Sequence, residues 1–496
     1  MLFMILPRFA RRTKFEFGPT IDMRRTKRNQ VTVGFVALGC PKNMVDSERM
    51  LAHLVEAGFL IAAEPEQADV VVINTCGFIE PATIESLEAV EQAIANKKMG
   101  NVKKVVVAGC LAQRLGEQLL DRAAGVDAVV GLGHRDAIAR ILRATLASNE
   151  ACVYLGPTPC AMVDDRVRLR IGPVHSAYLR ISEGCSHRCS FCTIPAIRGP
   201  YRSKPMSLVL DEARELVGSG AVELNLIGQD TTVYGRDLSL QEGLASLLGG
   251  MERIPGLAWI RLLYAYPTGI TGRLIETIAR SERIVHYLDL PIQHANDRIL
   301  KAMRRPDTKE DLCRLIGRLR AAMPDIILRT TLIVGFPGET QAEFEELVEF
   351  VQGARFDALG AFTYFPEAGT PAAGFPDQIP DEIKQARLEA LMLAQQEIAF
   401  AKNKERIGSR LRCLVEEGGH RTESGRRRRR QSAMLSSRTS IRGRHPPSAI
   451  GRGRFYGQAP DIDSLCWIEG CSSAPGRFIE TKVVGTRNYD LVVEQI

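Results

Sequence analysis

The sequence predicts an α/β protein of three units: a small parallel-sheet domain, a central partial (βα)6 barrel, and a small all-β barrel at the carboxy terminus. Three observations carry this. Apolar Val-rich runs alternate with helical patterns near the start, which suits strands buried on both faces of a parallel sheet. A second alternation with six strand-like runs follows over about 225 residues, as a (βα) barrel or part of one would give. Beyond it the helical period stops, and Gly-punctuated β-like runs remain.

The chain has 496 residues, too many for one core. Residues 1–30 hold eight Lys/Arg and two acids and read as a basic, unstructured extension. Its opening "MLFMIL" is too short for a signal-peptide core. Met23 is an alternative start, and an organelle transit peptide is the other reading of this segment. Residues 31–147 contain "VTVGFVAL", "ADVVVINT" and "VKKVVVAG", each followed by a helical stretch. Residues 148–174 read as a linker. The barrel is expected over 175–401, with strands at 177–182, 222–228, 259–265, 286–292, 327–335 and 359–365. Six units rather than eight predict an open barrel that admits a large substrate from the side. The all-β unit spans 404–496, interrupted at about 420–454 by an Arg-rich stretch without periodicity. That stretch reads as a disordered insertion, with a frame error as the alternative.

The net charge of +7 is unevenly spread. Residues 421–454 carry eleven arginines and one acid, and the first thirty residues contribute +6. Taking both away from +7 leaves the rest of the chain at about −9. An acidic body suits a basic protein partner better than bare phosphate. No apolar run approaches the roughly 20 residues of a membrane span, so a cytoplasmic protein with no membrane partner is expected. Twelve cysteines in such a chain read as metal-binding or catalytic rather than as a disulfide framework.

Six of them fall in two sets. Cys40, Cys76 and Cys110 each follow one of the first three Val-rich strands. Ligands of open parallel sheets bind beyond the carboxyl ends of the strands, so one edge would receive three thiols. Cys185, Cys189 and Cys192 lie together in "EGCSHRCSFC", after the first barrel strand. Structural zinc closes with four protein ligands, and His187 is a candidate fourth. The alternative is an iron–sulfur cube on three cysteines, with one iron left open to an exogenous ligand and Phe191 shielding it. Cys313 reads as core, in an apolar helical stripe. Cys152, Cys160, Cys413, Cys466 and Cys471 match no motif.

"LGCPKNMVDSE", "NTCGFI", "GCLAQR" and "SEGCSHRCSFC" together resemble the radical S-adenosylmethionine methylthiotransferases over nearly the whole chain, and the β unit resembles that family's TRAM domain. The resemblance implies two [4Fe-4S] clusters. Cys185, Cys189 and Cys192 would hold the one that binds S-adenosylmethionine; Cys40, Cys76 and Cys110 would hold an auxiliary cluster that carries or donates sulfur. It implies reductive cleavage of S-adenosylmethionine, hydrogen abstraction from an unactivated carbon, and capture of that carbon by a methylated sulfur. An external electron donor and a sulfur source are implied as well.

"RGPYRSK", "GQDTTVYG", "YLDLPIQHA" and "RTTLIVGFPGET" are similar to the RimO-type branch, which modifies an aspartate of small-subunit ribosomal protein twelve. The tRNA-modifying branch usually has an Asn-rich stretch where this chain has Asp230, Thr231 and Thr232; it is the rival reading. A zinc-stabilised RNA-binding protein is a rival of another class. RNA contact through the β unit is compatible with any of the three. The turns Gly228–Gln229–Asp230 and Gly335–Glu339 follow barrel strands, where backbone can approach a ligand, and are candidates for the S-adenosylmethionine pocket. His286 and His294 flank a strand and read as structural. The Arg-rich insertion departs from the family pattern.

Overall fold

The computed structural model describes residues 30–157, 162, 164–420 and 450–496. Most of the basic extension, Met23, Cys160 and residues 421–449 lie outside the described residues.

The first sheet is parallel throughout. It comprises β1 (Thr32–Ala37), β2 (Leu60–Ile61), β3 (Val70–Thr75), β4 (Lys104–Gly109), β5 (Ala128–Val130) and β6 (Cys152–Tyr154), in the order β2-β1-β3-β4-β5-β6. The three Val-rich runs are β1, β3 and β4, adjacent at its centre. Val70 and Val72 pack into one cluster with Val33, Phe35 and Leu51, while Val71 and Ile73 pack into another with Val90 and Val107 on the opposite face. Burial on both faces explains the unbroken apolar runs. The short strands β2, β5 and β6 were not expected, because two or three residues give no period to read. β6 carries the sheet to Tyr154, into the segment read as linker.

The second sheet contains β7 (Ser176–Arg180), β10 (Glu223–Ile227), β11 (Trp259–Leu262), β12 (Ile284–Asp289), β13 (Ile327–Val334) and β14 (Ala358–Thr363). All pair in parallel, in the order β7-β10-β11-β12-β13-β14, and β7 does not close onto β14. This is the open six-stranded barrel expected. A small antiparallel pair, β8 (Ser182–Glu183) and β9 (Arg202–Ser203), braces the loop after β7.

Alternation along the strands sorts the two faces. Ile284 and Leu288 of β12 pack with helical residues such as Val209, Leu247 and Leu315. Val285 and Tyr287 point the other way, and join Trp259 and Ile327 against the carboxy-terminal domain. That domain is a closed barrel of β15 (Arg410–His420), β16 (Ile450–Phe455), β17 (Cys466–Glu469), β18 (Phe478–Arg487) and β19 (Asp490–Gln495), in the order β15-β16-β17-β19-β18. It packs against the face of the barrel sheet that carries Trp259, Val285, Tyr287 and Ile327.

Two expectations need correction. The sequence predicts an unstructured stretch through about residue 454, but Ile450–Arg454 belong to β16. Gly451 and Gly453 allow close strand packing there, since a Cβ on Gly453 would stand 2.6 Å from the Leu414 carbonyl oxygen. Cys313 is exposed rather than core. Its helix, Lys309–Ala322, buries Leu312, Leu315, Ile316 and Leu319, and Cys313 lies one residue off that stripe.

No helix among the described residues is long and apolar enough to cross a membrane.

Candidate functional site

Register brings the first three cysteines together. Val36, Ile73 and Val107 lie side by side across β1, β3 and β4, and Thr75 pairs with Gly109. Cys76 and Cys110 are therefore the first residues beyond the ends of neighbouring strands, and Cys40 follows β1 after a short turn. The turns leave no spare room: Gly39 has a φ of +90°, and a Cβ on it would stand 2.8 Å from the Cys76 Cβ. Burial, reinforced by Cys110 and Cys40 close by, pushes the Cys76 thiol up to about 12. Burial likewise pushes Cys110 up to about 11, although Arg198 pulls it down.

The second set is local. Cys185, Cys189 and Cys192 occupy the loop between β8 and the short helix Ile194–Arg198. Burial pushes Cys185 up to about 11 and Cys192 up to about 12, with the neighbouring thiols adding to both. Thiols held this high stay protonated at neutral pH unless a cationic centre takes the proton's place, as iron does. Among the described residues, no three His, Cys, Asp or Glu side chains stand close enough to hold one metal ion. A single zinc needs that closeness; an iron–sulfur cube does not, because each thiolate takes a different iron. His187, the candidate fourth zinc ligand, instead directs Nε2 to Asp230 at 2.7 Å and stacks on Tyr266 with ring centroids 4.0 Å apart. Phe191 packs beside Phe336 and Tyr364.

The two sets belong to different domains, and named contacts join the segments that carry them. Lys42, two residues after Cys40, donates from Nζ to the Gly228 carbonyl at 3.1 Å and stands 3.3 Å over the Tyr264 ring. Burial lowers its pKa. Thr193, next to Cys192, donates to the Phe78 carbonyl at 3.2 Å. Glu367, beyond β14, accepts from the Glu80 backbone N–H at 2.8 Å and pairs with Arg114 at 2.7 Å. Arg198 donates to Cys110 Sγ at 3.2 Å. Behind these lies a buried ionic array in which Arg180 meets Asp46 and Asp165, each at 2.6 Å, and Lys204 meets Asp165 at 2.7 Å. Asp165 comes from the segment read as linker, which is therefore anchored there.

The expected S-adenosylmethionine turns are at the carboxyl ends of β10 and β13. A Cβ on Gly228 would stand 2.3 Å from Ser182 Oγ, so the backbone there is tightly confined. Gln229 donates to Glu183 at 3.1 Å, and its Oε1 is buried with no partner, an acceptor position that suits a ligand donor. Asp230 is committed to His187 and to Thr232. Glu339 accepts from the backbone N–H groups of Gly335 and Phe336 at 2.9 and 3.2 Å, and from Arg387 at 2.9 Å. Both of its oxygens thus organise the turn. His294 is fully buried, with Nε2 3.6 Å from Glu339. His286 pairs with Asp325 at 2.6 Å, away from the cysteines.

Sequence reasoning missed Lys42, Arg198, Tyr264 and Glu367. The first two stand in motifs already singled out, "GCPKN" and "RGPYRSK". A basic residue beside a thiolate ligand was the available signal. Tyr264 and Glu367 gave none, because their role depends on how the domains dock.

Residues 32–131 match the family described as uncharacterized protein family UPF0004, residues 179–351 the radical SAM superfamily, and residues 446–496 the TRAM domain. Three proteins described as ribosomal protein uS12 methylthiotransferase RimO are similar along their length. The one from Geobacter sulfurreducens is 41% identical, covering 94% of this chain and 98% of that protein. Those from Pelotomaculum thermopropionicum and Syntrophomonas wolfei are 42% and 40% identical, covering 94% of this chain and 99% and 100% of theirs. Identity at this level over nearly the whole of both chains means that the chain belongs to the RimO family of radical S-adenosylmethionine methylthiotransferases.

Proposed function

We propose that the protein attaches a methylthio group to the β-carbon of an aspartate in ribosomal protein uS12. The reading is supported most by two contacts, Thr193 to Phe78 and Arg198 to Cys110, that join the segments carrying the two cysteine sets, in a chain 41% identical over 94% of its length to a protein described as a uS12 methylthiotransferase. Cys185, Cys189 and Cys192 hold the cluster that binds S-adenosylmethionine, and Cys40, Cys76 and Cys110 hold the auxiliary cluster. When bound, the clusters and S-adenosylmethionine supply hydrogen abstraction from an unactivated carbon and delivery of a methylated sulfur.

The chain's own residues position these groups and exclude water. The backbone at Gly228 and the free acceptor of Gln229 line the S-adenosylmethionine site beside the cluster loop. Asp230 steadies that loop through His187, and Glu339 fixes the turn that brings Gly335 to the same end of the barrel. Lys42 joins the two domains through the Gly228 carbonyl and the Tyr264 ring, and so holds the Cys40 turn against the carboxyl end of β10. An external one-electron donor and a sulfur source complete the cycle. The reaction takes place in the cytoplasm, and the carboxy-terminal barrel offers a surface for RNA beside the substrate.

Separation of the two half-reactions tests this. Cys189→Ala abolishes formation of 5′-deoxyadenosine. Cys76→Ala retains it and loses methylthio transfer; transfer that survives Cys76→Ala refutes the auxiliary assignment.

A further inference from the structure

The helix Ile194–Arg198 begins two residues after Cys192 and ends on a residue that touches the other thiol set. Arg198 is fully buried. Its Nη2 lies 3.2 Å from Cys110 Sγ and 3.1 Å from Asp46 Oδ2, and its Nη1 lies 3.0 Å from Glu183 Oε1. Ile197, one residue earlier, packs with Cys110 and Leu132. The next residue, Gly199, accepts a hydrogen bond from the Cys185 backbone N–H at 3.1 Å. Residues 192–199 are thus a short strut between the two sets of cysteines, and Arg198 is its charged end.

We propose that Arg198 is a positioning residue that raises the reduction potential of the auxiliary cluster by donating a hydrogen bond to the sulfur of Cys110. The inference rests on the reading that Cys40, Cys76 and Cys110 hold a cluster. Reduction adds a negative charge, which spreads onto the ligating sulfurs. A guanidinium donor at one sulfur stabilises the reduced form more than the oxidised one. Burial strengthens the effect by excluding water. Glu183 and Asp46 moderate it from the other side of the guanidinium, and they hold the arginine in place. Loss of the donor makes the cluster harder to reduce; loss of a moderating carboxylate makes it easier.

The test uses the full-length chain carrying Cys185→Ala, Cys189→Ala and Cys192→Ala, reconstituted with iron and sulfide so that only the auxiliary cluster forms. Its midpoint potential is read by redox titration followed by electron paramagnetic resonance. Arg198→Met lowers the equilibrium constant for reduction at least tenfold, about 59 mV for one electron. Arg198→Lys lowers it less, and Asp46→Asn raises it. A merely structural role for Arg198 does not produce opposite shifts in Arg198→Met and Asp46→Asn. If Arg198→Met fails to hold iron, Arg198→Lys and Asp46→Asn decide the question by the sign of their shifts. Unchanged potentials, or shifts of the same sign, overturn the proposal. A parent chain that binds no iron overturns the cluster assignment itself, which separates that failure from the failure of the Arg198 inference.

Discussion

Glu223 joins the open barrel to the carboxy-terminal domain, and its replacement by Gln tests how strongly. The side chain is fully buried at the start of β10. It accepts from Arg261 at 2.9 and 3.0 Å, from Arg454 at 2.6 and 3.3 Å, and from Ser176 at 3.0 Å. Arg454 reaches it from β16, across the junction. Gln keeps the shape and removes the charge, leaving two buried guanidinium groups facing a neutral amide. Breaking one buried pair costs about 3–5 kcal/mol. The Gln amide oxygen still accepts hydrogen bonds from the arginines, so the low end, about 3 kcal/mol, is expected here. The chain's two tryptophans make the assay direct. Trp259 stands 4.7 Å from Phe478 of the carboxy-terminal barrel, ring to ring, whereas Trp467 belongs to that barrel. In a Trp467→Phe background, emission of Trp259 therefore follows separation of the two domains in urea. A double-mutant cycle of Glu223→Gln with Arg454→Met isolates the pair and should give a coupling energy of at least about 2 kcal/mol. Additive single effects, or a Glu223→Gln penalty below about 1 kcal/mol, would mean that the Glu223–Arg454 pair does not hold the junction.

Further outcomes follow from the same contacts. Burial raises the Glu223 pKa, but Arg454 and Arg261 outweigh it and hold the carboxyl at about 2, against an ordinary 4.5. The folded state therefore releases this proton more readily than the unfolded one; the stabilisation, about 3 kcal/mol, is complete above pH 4.5 and is lost as pH falls toward 2. Acid titration of Trp259 emission should show domain separation in that window, and Glu223→Gln should flatten it. Lys42→Met strands the buried Gly228 carbonyl and should cost about 1–3 kcal/mol, read as faster hydrogen exchange over residues 38–46, the turn after β1 and the first residues of the helix Pro41–Glu56. Thr340 accepts from the Glu343 backbone N–H at 3.3 Å, and the Glu343 side chain bonds back to the Thr340 N–H at 2.8 Å. Thr340→Ala should cost about 1 kcal/mol in urea unfolding, without moving the Trp259 signal relative to the rest of the protein.

Legibility in the sequence followed the strength of the local period. The Val-rich runs of β1, β3 and β4 are buried on both faces, so they stood out, and the cysteines after them could be placed at one edge from topology alone. Short strands such as β5 and β6 have no period and emerged only through pairing. β16 was missed because its Gly and Arg residues resemble the Arg-rich stretch before it. Only the partner strand and Glu223 show why Gly453 must be small and Arg454 can be buried. Cys313 shows how fine the helical argument is: one step around the helix separates core from surface. At the site, the thiols were legible because their spacing is itself chemical information. Lys42, Arg198 and Glu367 act across a domain interface, and no local pattern encodes which surfaces meet. Asp230 and Glu339 were picked out as ligand contacts from their place after strands, yet their carboxylates are occupied in holding the loop and the turn.

The central claim is that the chain transfers a methylthio group to a ribosomal-protein aspartate. The direct measurement is an anaerobic reaction of the reconstituted full-length protein with S-adenosylmethionine, a reductant and sulfide. A peptide of the uS12 loop and bulk tRNA are offered together, and mass spectrometry asks which one gains the methylthio group. Gain on the peptide aspartate is expected, with 5′-deoxyadenosine formed alongside. Gain on tRNA with none on the peptide, or 5′-deoxyadenosine with neither product, would contradict the claim.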